Sequence, residues 1–80
     1  MEIKILAFGI AKDILGHRKI SMDLPERSTV ADLRAQLTNQ FPSFDKLRSL
    51  RFALEQEYVA DDQPLRPQDE VIIIPPVSGG

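Results

Sequence analysis

The six residues at the end of the chain, with the sequence PPVSGG, have the types and spacing best suited to chemistry. A carboxylate at the end of Gly79 and Gly80 can enter a narrow channel, because no Cβ keeps the backbone away from the channel wall. Six extended residues reach about 20 Å. Pro75 and Pro76 favour an extended polyproline geometry, which reduces the entropy lost on insertion into a partner. The pattern favours an insertable tail, although a frayed end or a cloning remnant can also finish on two glycines.

The other side chains capable of chemistry do not have the spacing of a catalytic or metal-binding site. The chain has no cysteine, which excludes disulfides, thiolate nucleophiles and thiolate metal sites. His17 has no metal-spaced companion, so we expect a solvated loop residue. The acids Asp61, Asp62, Asp69 and Glu70 lie in turns without the spacing of a calcium loop. Since the sequence also lacks a Ser-His-Asp set and a phosphate-binding glycine loop, we expect no active site of its own, no metal and no bound cofactor.

Length and composition predict one small globular domain. Eighty residues are too few for two cores, and 42% hydrophobic with 28% charged residues is ordinary for a folded protein. The net charge of −2, with scattered basic residues, gives no electrostatic footprint for nucleic acid. Apolar runs of about four residues are too short to span a membrane, and Met1 leads directly into a strand-like segment rather than a signal peptide. We therefore expect a cytoplasmic protein that binds neither nucleic acid nor membrane.

Alternating apolar residues predict three strands, and a continuous apolar run predicts a fourth. The alternating segments are residues 2–8, 18–25 and 50–60. The last of them has a short hairpin return near Tyr58, where we expect the ring to pack in the hairpin. Residues 71–76 are apolar throughout, which is typical of a central strand. A short helical turn over residues 9–16, ended by Gly16, connects the first two strands.

The clearest helix is predicted over residues 28–42. Thr29 and Asp32 have the spacing of a capping box at its start, and Pro42 ends it. Residues 43–47 then form an irregular turn in this prediction. One face of the helix carries an apolar stripe. The stripe consists of Val30, Leu33, Leu37 and Phe41.

The order β, β, α, β, β predicts an α+β roll, in which a mixed sheet of four to five strands packs on one main helix. The first and last strands are expected to lie side by side at the centre of the sheet. Their long connection contains the helix, as a parallel pair requires. We expect residues 1–75 to form this domain and residues 76–80 to form a flexible tail.

The two central strands also carry apolar side chains on the face turned away from the core. Leu6 and Phe8 alternate with inward-facing residues of the first strand, and Ile72 and Ile74 do so in the last. If the strands pair, these four residues form an exposed apolar patch of the kind that binds partners. Alternatively, the short helix near Ile10 or a loop covers them.

The segments KILAFGIAKDILG, LPERSTVADLRAQL, EYVADDQPL and DEVIIIPPVSGG occur in this order along nearly the whole chain. Together they resemble the ubiquitin-like β-grasp family and, within it, the small sulfur-carrying subunits of molybdopterin synthase. Glu55 stands where that group usually has Asn, and Gln68 where it usually has Gly. Because a non-glycine residue in a left-handed turn costs about 1–2 kcal/mol, we expect a reshaped turn or a small stability penalty.

The resemblance implies a carrier role for Gly80. A ubiquitin-activating-like adenylyltransferase would use ATP to adenylate its carboxylate, and sulfur from another protein would then convert it to a thiocarboxylate. The tail would insert into the large subunit of molybdopterin synthase. There the sulfur would pass to a cyclic pyranopterin precursor, and two such transfers would build the dithiolene that holds molybdenum or tungsten.

The resemblance also implies where the partners bind. Gly79 would give access to the reacting carbon, and the segment Pro75, Pro76, Val77 and Ser78 would lie in the partner's groove. Phe8, Ile72 and Ile74 are the predicted docking residues. The assembly expected from the family has two large and two small subunits.

Two other hypotheses stay open at this point. The same carrier chemistry could serve thiamine thiazole formation or tRNA thiolation. A chain of this kind could also be a ubiquitin-like modifier attached to lysines through Gly80, or a plain interaction module. The PPVSGG ending resembles the molybdopterin branch better than the other carriers.

Overall fold

The computed structural model of the protein describes residues 1–46 and 50–74. Within these ranges the chain forms five strands, two α-helices and one 3₁₀ helix. In chain order they are β1 (Glu2–Ala7), α1 (Gly9–Leu15), β2 (Lys19–Asp23), α2 (Val30–Gln40), the 3₁₀ helix (Pro42–Lys46), β3 (Arg51–Leu54), β4 (Glu57–Val59) and β5 (Glu70–Ile74).

The strands form one mixed sheet in the order β2-β1-β5-β3-β4. Strands β1 and β5 are parallel neighbours at its centre, with Leu6 opposite Ile72. The other pairs are antiparallel. The predicted α+β roll is confirmed, including the central position of the continuous apolar strand.

The inner face of the sheet and the stripe of α2 form one core. The inward residues of the two central strands are completely buried, and they pack against buried residues of α2. Burying each such side chain contributes roughly 1.5–3 kcal/mol. The fully buried residues from these three elements are Ile3, Ile5, Ala7, Val30, Leu33, Leu37, Val71 and Ile73.

Helix α2 begins with the predicted capping box. The Asp32 carboxylate accepts hydrogen bonds from the Thr29 backbone N–H at 2.8 Å and from its hydroxyl at 3.2 Å, so a backbone donor at the helix start is satisfied. The helix ends at Gln40, and the following segment is a 3₁₀ helix instead of the irregular turn that we predicted. Its Phe44 is buried and packs edge-to-face on Phe41, with ring centroids 6.2 Å apart. This burial favours a regular turn.

Helix α1 confirms the predicted helical turn between the first two strands. Gly16 ends it in the left-handed region, with φ at 81°, and its N–H donates to the Lys12 carbonyl at 2.8 Å. Only glycine adopts this conformation without steric cost. Ala11 and Leu15 are buried and belong to the same core as α2. Helix α1 therefore packs on the inner side of the sheet.

Two non-glycine residues keep left-handed turns where the sequence departs from the family pattern. Glu55 has φ at 50° and Gln68 has φ at 70°. The turn at Gln68 is therefore not reshaped into the ordinary right-handed region. We therefore still expect the left-handed backbone at Gln68 to lower the stability of the fold slightly.

None of the helices in the described part of the chain has the length and apolar character needed to cross a membrane.

Candidate partner-docking site

The predicted tail residues lie outside the described part of the chain. They are Pro75, Pro76, Val77, Ser78, Gly79 and Gly80. Strand β5 ends at Ile74, the residue immediately before them. A protein that binds the tail therefore meets the surface around Ile74, and this surface is the part of the site that the structure describes.

One row of apolar side chains crosses four strands on the outer face of the sheet. Leu6 of β1 lies opposite Ile72 of β5. Ile72 also lies opposite Ala53 of β3, which in turn lies opposite Tyr58 of β4. Since residues opposite each other in a pair share a face, the row is continuous. Leu6 and Ile72 are half-buried, whereas the Tyr58 ring is 63% exposed.

More apolar side chains lie at the end of the sheet where the tail begins. Phe8 follows β1 in an extended conformation, with φ −133° and ψ 161°, so it continues the outward alternation of Leu6. It is 48% exposed. Because β1 and β5 run parallel with Ala7 opposite Ile73, Phe8 lies at the level of Ile74. We call Leu6, Phe8, Tyr58, Ile72 and Ile74 the apolar docking face.

Helix α1 does not cover the apolar docking face, because its buried residues point into the core on the other side of the sheet. The alternative in which this helix shields the patch is therefore wrong. Ile10, in the first turn of α1, is itself 49% exposed at the same end of the sheet. Within residues 1–46 and 50–74, no element covers Phe8 or Tyr58, which are 48% and 63% exposed. Docking by Phe8, Ile72 and Ile74 stays a prediction.

Sequence reasoning missed two exposed residues of this surface. Tyr58 contacts Arg51 of the neighbouring hairpin strand, but its register opposite Ala53 turns the ring outward and leaves it 63% exposed. The exposure of Ile10 was also not predicted, because α1 buries Ala11 and Leu15 instead. A helix of two turns gives too few positions for periodicity to identify its buried side.

Two cations border the apolar docking face on opposite flanks. Lys19 of β2 lies opposite Leu6, and its Nζ is 3.6 Å from Glu70 Oε2. Both side chains are about half exposed, so this pair adds little to stability. Arg51 of β3 lies opposite Ile74, with its guanidinium carbon 5.5 Å from the centroid of the Tyr58 ring. This is a cation–π contact.

The groove at the other end of the sheet does not form a metal site. It has a volume of about 650 Å³ and lies between the β3–β4 turn and the loop before β5. Glu55, Glu57, Asp69 and Glu70 contribute carboxylates to its lining, and Arg66 contributes a guanidinium. In the described ranges, no three acids or histidines come close enough together to hold a metal ion.

Asp61, one of the turn acids, has a structural contact. Its Oδ1 accepts a hydrogen bond from Arg34 Nη2 at 2.9 Å, and Arg34 Nη1 donates to the Leu50 carbonyl at 3.0 Å. The guanidinium carbon of Arg34 also lies 4.9 Å from the centroid of the Phe52 ring. Arg34 therefore connects α2 to the start of β3 and to the loop after β4.

Comparison with known proteins places this fold and sequence in one family. Residues 5–80 match the model of the ThiS family. The molybdopterin synthase sulfur carrier subunit of Chlamydomonas reinhardtii is 39% identical over 83 residues, covering 100% of both chains. The protein of the same name from Arabidopsis thaliana is 37% identical over 81 residues, covering 100% of this chain and 84% of its own.

Solved structures show the same fold. A putative molybdopterin converting factor, subunit 1, from Pyrococcus furiosus superposes with a TM-score of 0.88 at 23% identity, covering 96% of this chain and 99% of that one. A chain in the complex of subunits 1 and 2 of the molybdopterin-converting factor from Helicobacter pylori gives a TM-score of 0.71 at 23% identity, covering 100% of both chains.

The family of this chain follows from how much of its length these matches cover. They run over the whole β-grasp sheet and continue into the glycine tail. The chain belongs to the ThiS family and, within it, to the molybdopterin synthase sulfur carrier subunits.

Proposed function

We propose that this protein carries sulfur to molybdopterin synthase as a thiocarboxylate on Gly80. The observation that carries the proposal is the full-length similarity to sulfur carrier subunits, which includes the C-terminal glycines. The open apolar docking face next to the start of the tail supports it. The described residues supply a binding surface, and the reacting group is the terminal carboxylate.

Activation is the first step of the proposed reaction. A carboxylate is a poor electrophile, and attack of one of its oxygens on ATP forms an acyl-adenylate and releases pyrophosphate. The outer sulfur of a persulfide on a donor protein then attacks the acyl carbon, and AMP leaves. A thiol cleaves the remaining sulfur–sulfur bond, which releases the thiocarboxylate and leaves a disulfide between that thiol and the donor. An activating adenylyltransferase supplies this chemistry. This chain contributes Gly79 and Gly80, which have no Cβ to obstruct entry into a narrow channel.

Sulfur transfer is the second step, and it takes place in the large subunit of the synthase. The segment from Pro75 to Ser78 lies in the groove of that subunit in this proposal. Phe8, Ile72 and Ile74 hold the domain against its surface. We propose that the same docking residues and the same tail contact the activating enzyme, so that the two partners bind in turn and not together. The carrier must therefore dissociate from the activating enzyme before it binds the large subunit.

The experiment is a reconstituted synthase reaction that measures dithiolene formation from the pyranopterin precursor. A chain that lacks Gly80 should give no product, because it has no carboxylate at the position that the enzymes read. The matched control is Glu26→Ala, an exposed substitution far from the tail with both glycines intact, which should give normal product. Dithiolene formation by the chain without Gly80 would overturn the proposal.

A second assay distinguishes the proposed function from a carrier for thiamine or tRNA thiolation and from a protein modifier. Binding to the large subunit of molybdopterin synthase is expected only for the proposed function. Adducts of higher mass in cell extracts, lost when Gly80 is removed, would instead indicate conjugation to other proteins.

A further inference from the structure

Arg51 borders the apolar docking face at the end of the sheet where the tail begins. It lies opposite Ile74, the last described residue before the tail segment. Since Ile74 belongs to the outer face, Arg51 shares that face. A protein that holds the tail and covers Ile74 therefore also covers the space in front of the guanidinium.

The charge of Arg51 is not matched within the described part of the chain. The salt bridges there involve the Met1 ammonium group, Lys19 and Arg34. The contact found for the Arg51 guanidinium is the Tyr58 ring, 5.5 Å away. The ring restricts the position of the guanidinium. It does not accept hydrogen bonds from the N–H groups, which lie in the guanidinium plane. Arg51 therefore differs from Lys19, whose ammonium is paired with Glu70.

Covering this surface removes water from a cation. An unpaired charge taken out of water is costly, so a partner that buries the surface has to supply an acceptor. The planar guanidinium matches a carboxylate with two parallel hydrogen bonds. Arginine and tyrosine are also among the residue types enriched at the positions that contribute most to interface affinity.

We propose that the protein that accepts the tail presents an aspartate or glutamate carboxylate to Arg51, whose guanidinium is held in place by Tyr58. The surface of that partner is apolar opposite the docking face and acidic on the flank facing β3 and β4. The inference rests on the proposed function, because it takes the large subunit of molybdopterin synthase as the partner.

The test is the dissociation constant between this chain and the purified large subunit. Arg51→Gln should weaken binding by about tenfold or more, and the affinity of the variant should depend less on salt than that of the unaltered chain. Arg51→Lys keeps the charge but loses the paired N–H geometry, so its affinity should lie between the two. Arg27→Gln, an exposed arginine in the loop before α2, is the control and should bind normally.

Two outcomes separate this inference from the proposed function. Failure of the unaltered chain to bind the large subunit would overturn the proposed function. Normal binding by the unaltered chain together with unchanged affinity and salt dependence for Arg51→Gln would overturn only the inference.

A charge reversal provides the second variant. Arg51→Glu should bind poorly, and changing one acidic residue of the large subunit to arginine should restore its affinity. If no such exchange restores binding, the carboxylate contact is wrong. Arg51 is exposed, so we expect every variant to melt at the temperature of the unaltered chain.

Discussion

The two faces of the sheet are built from the same strands, yet the described residues cover only the inner one completely. On the inner face, Ile5 of β1 and Ile73 of β5 are completely buried against the helices. On the outer face, Leu6 and Ile72 are half-buried, and Phe8 is 48% exposed. The inner face stabilises the fold. In the described part of the chain, the outer face exposes apolar side chains, as partner surfaces do.

The comparison predicts that stability and binding can be changed separately. Substitutions on the inner face should alter the free energy of unfolding, because they remove contacts made within the chain. Substitutions on the outer face should alter partner affinity and leave folding nearly unchanged. Unchanged stability after an inner-face substitution, together with a large loss of stability after an outer-face substitution, would contradict the account.

The largest effect is expected for Ile73→Ala. It leaves a cavity between the sheet and the helices, which should lower the free energy of unfolding by about 2–5 kcal/mol. Chemical denaturation measures the change. The matched control is Ile72→Ala, the neighbour on the outer face, which should cost about 1 kcal/mol because it is only half-buried. Equal losses for the two would mean that the faces are not distinct.

Phe8→Ala should produce the largest effect on binding. Loss of the exposed ring is expected to weaken the affinity for the large subunit by about 2 kcal/mol or more, while the free energy of unfolding changes by less than about 1 kcal/mol. Titration calorimetry and denaturation measure the two quantities on the same sample. Unchanged affinity would remove Phe8 from the docking face. A large loss of stability would place it in the core.

Asp32→Ala should weaken the helix that closes the inner face. It removes the acceptor of the Thr29 N–H, and the expected cost is about 1 kcal/mol in the free energy of unfolding. Affinity for the large subunit should not change, because α2 packs on the inner side. Asp32→Asn, which keeps an acceptor, is the control and should cost less. A change in affinity would mean that the helix side also contacts the partner.

Gln68→Gly should produce the smallest effect, and it should be stabilising. Glycine adopts the left-handed φ of 70° without steric cost, so the gain should be up to about 1 kcal/mol in the free energy of unfolding. Gln63→Gly is the control at a residue that is not left-handed, where we expect no gain. A loss at Gln68 would show that its side chain contributes more than the backbone strain costs.

The parts of the fold that depend on local patterns were predictable from the sequence. The alternation around Ile3 and Ile5 identified the inner face, and the continuous run from Val71 identified the central strand, since burial on both faces favours unbroken apolar residues. The spacing of Thr29 and Asp32 predicted the helix start. Each of these signals lies within a few residues of the structure that it specifies.

The features that depend on distant pairing were not predictable. Tyr58 meets Arg51 because β3 and β4 pair in one register, and a shift of one residue would turn the ring to the core. The contact of Arg34 with Asp61 spans 27 residues. The apolar residues of the candidate site were therefore predictable from the sequence. The position of Arg51 beside Tyr58 could be recognised only from the strand pairing.

The most direct test of the central claim is the intact mass of the protein after incubation with the activating enzyme, ATP and a sulfur donor. The account predicts a mass gain equal to the replacement of one oxygen by sulfur, and fragmentation should map it to Gly80. No gain, under conditions in which the same enzyme modifies a control carrier, would contradict the account and leave an interaction module as the better description.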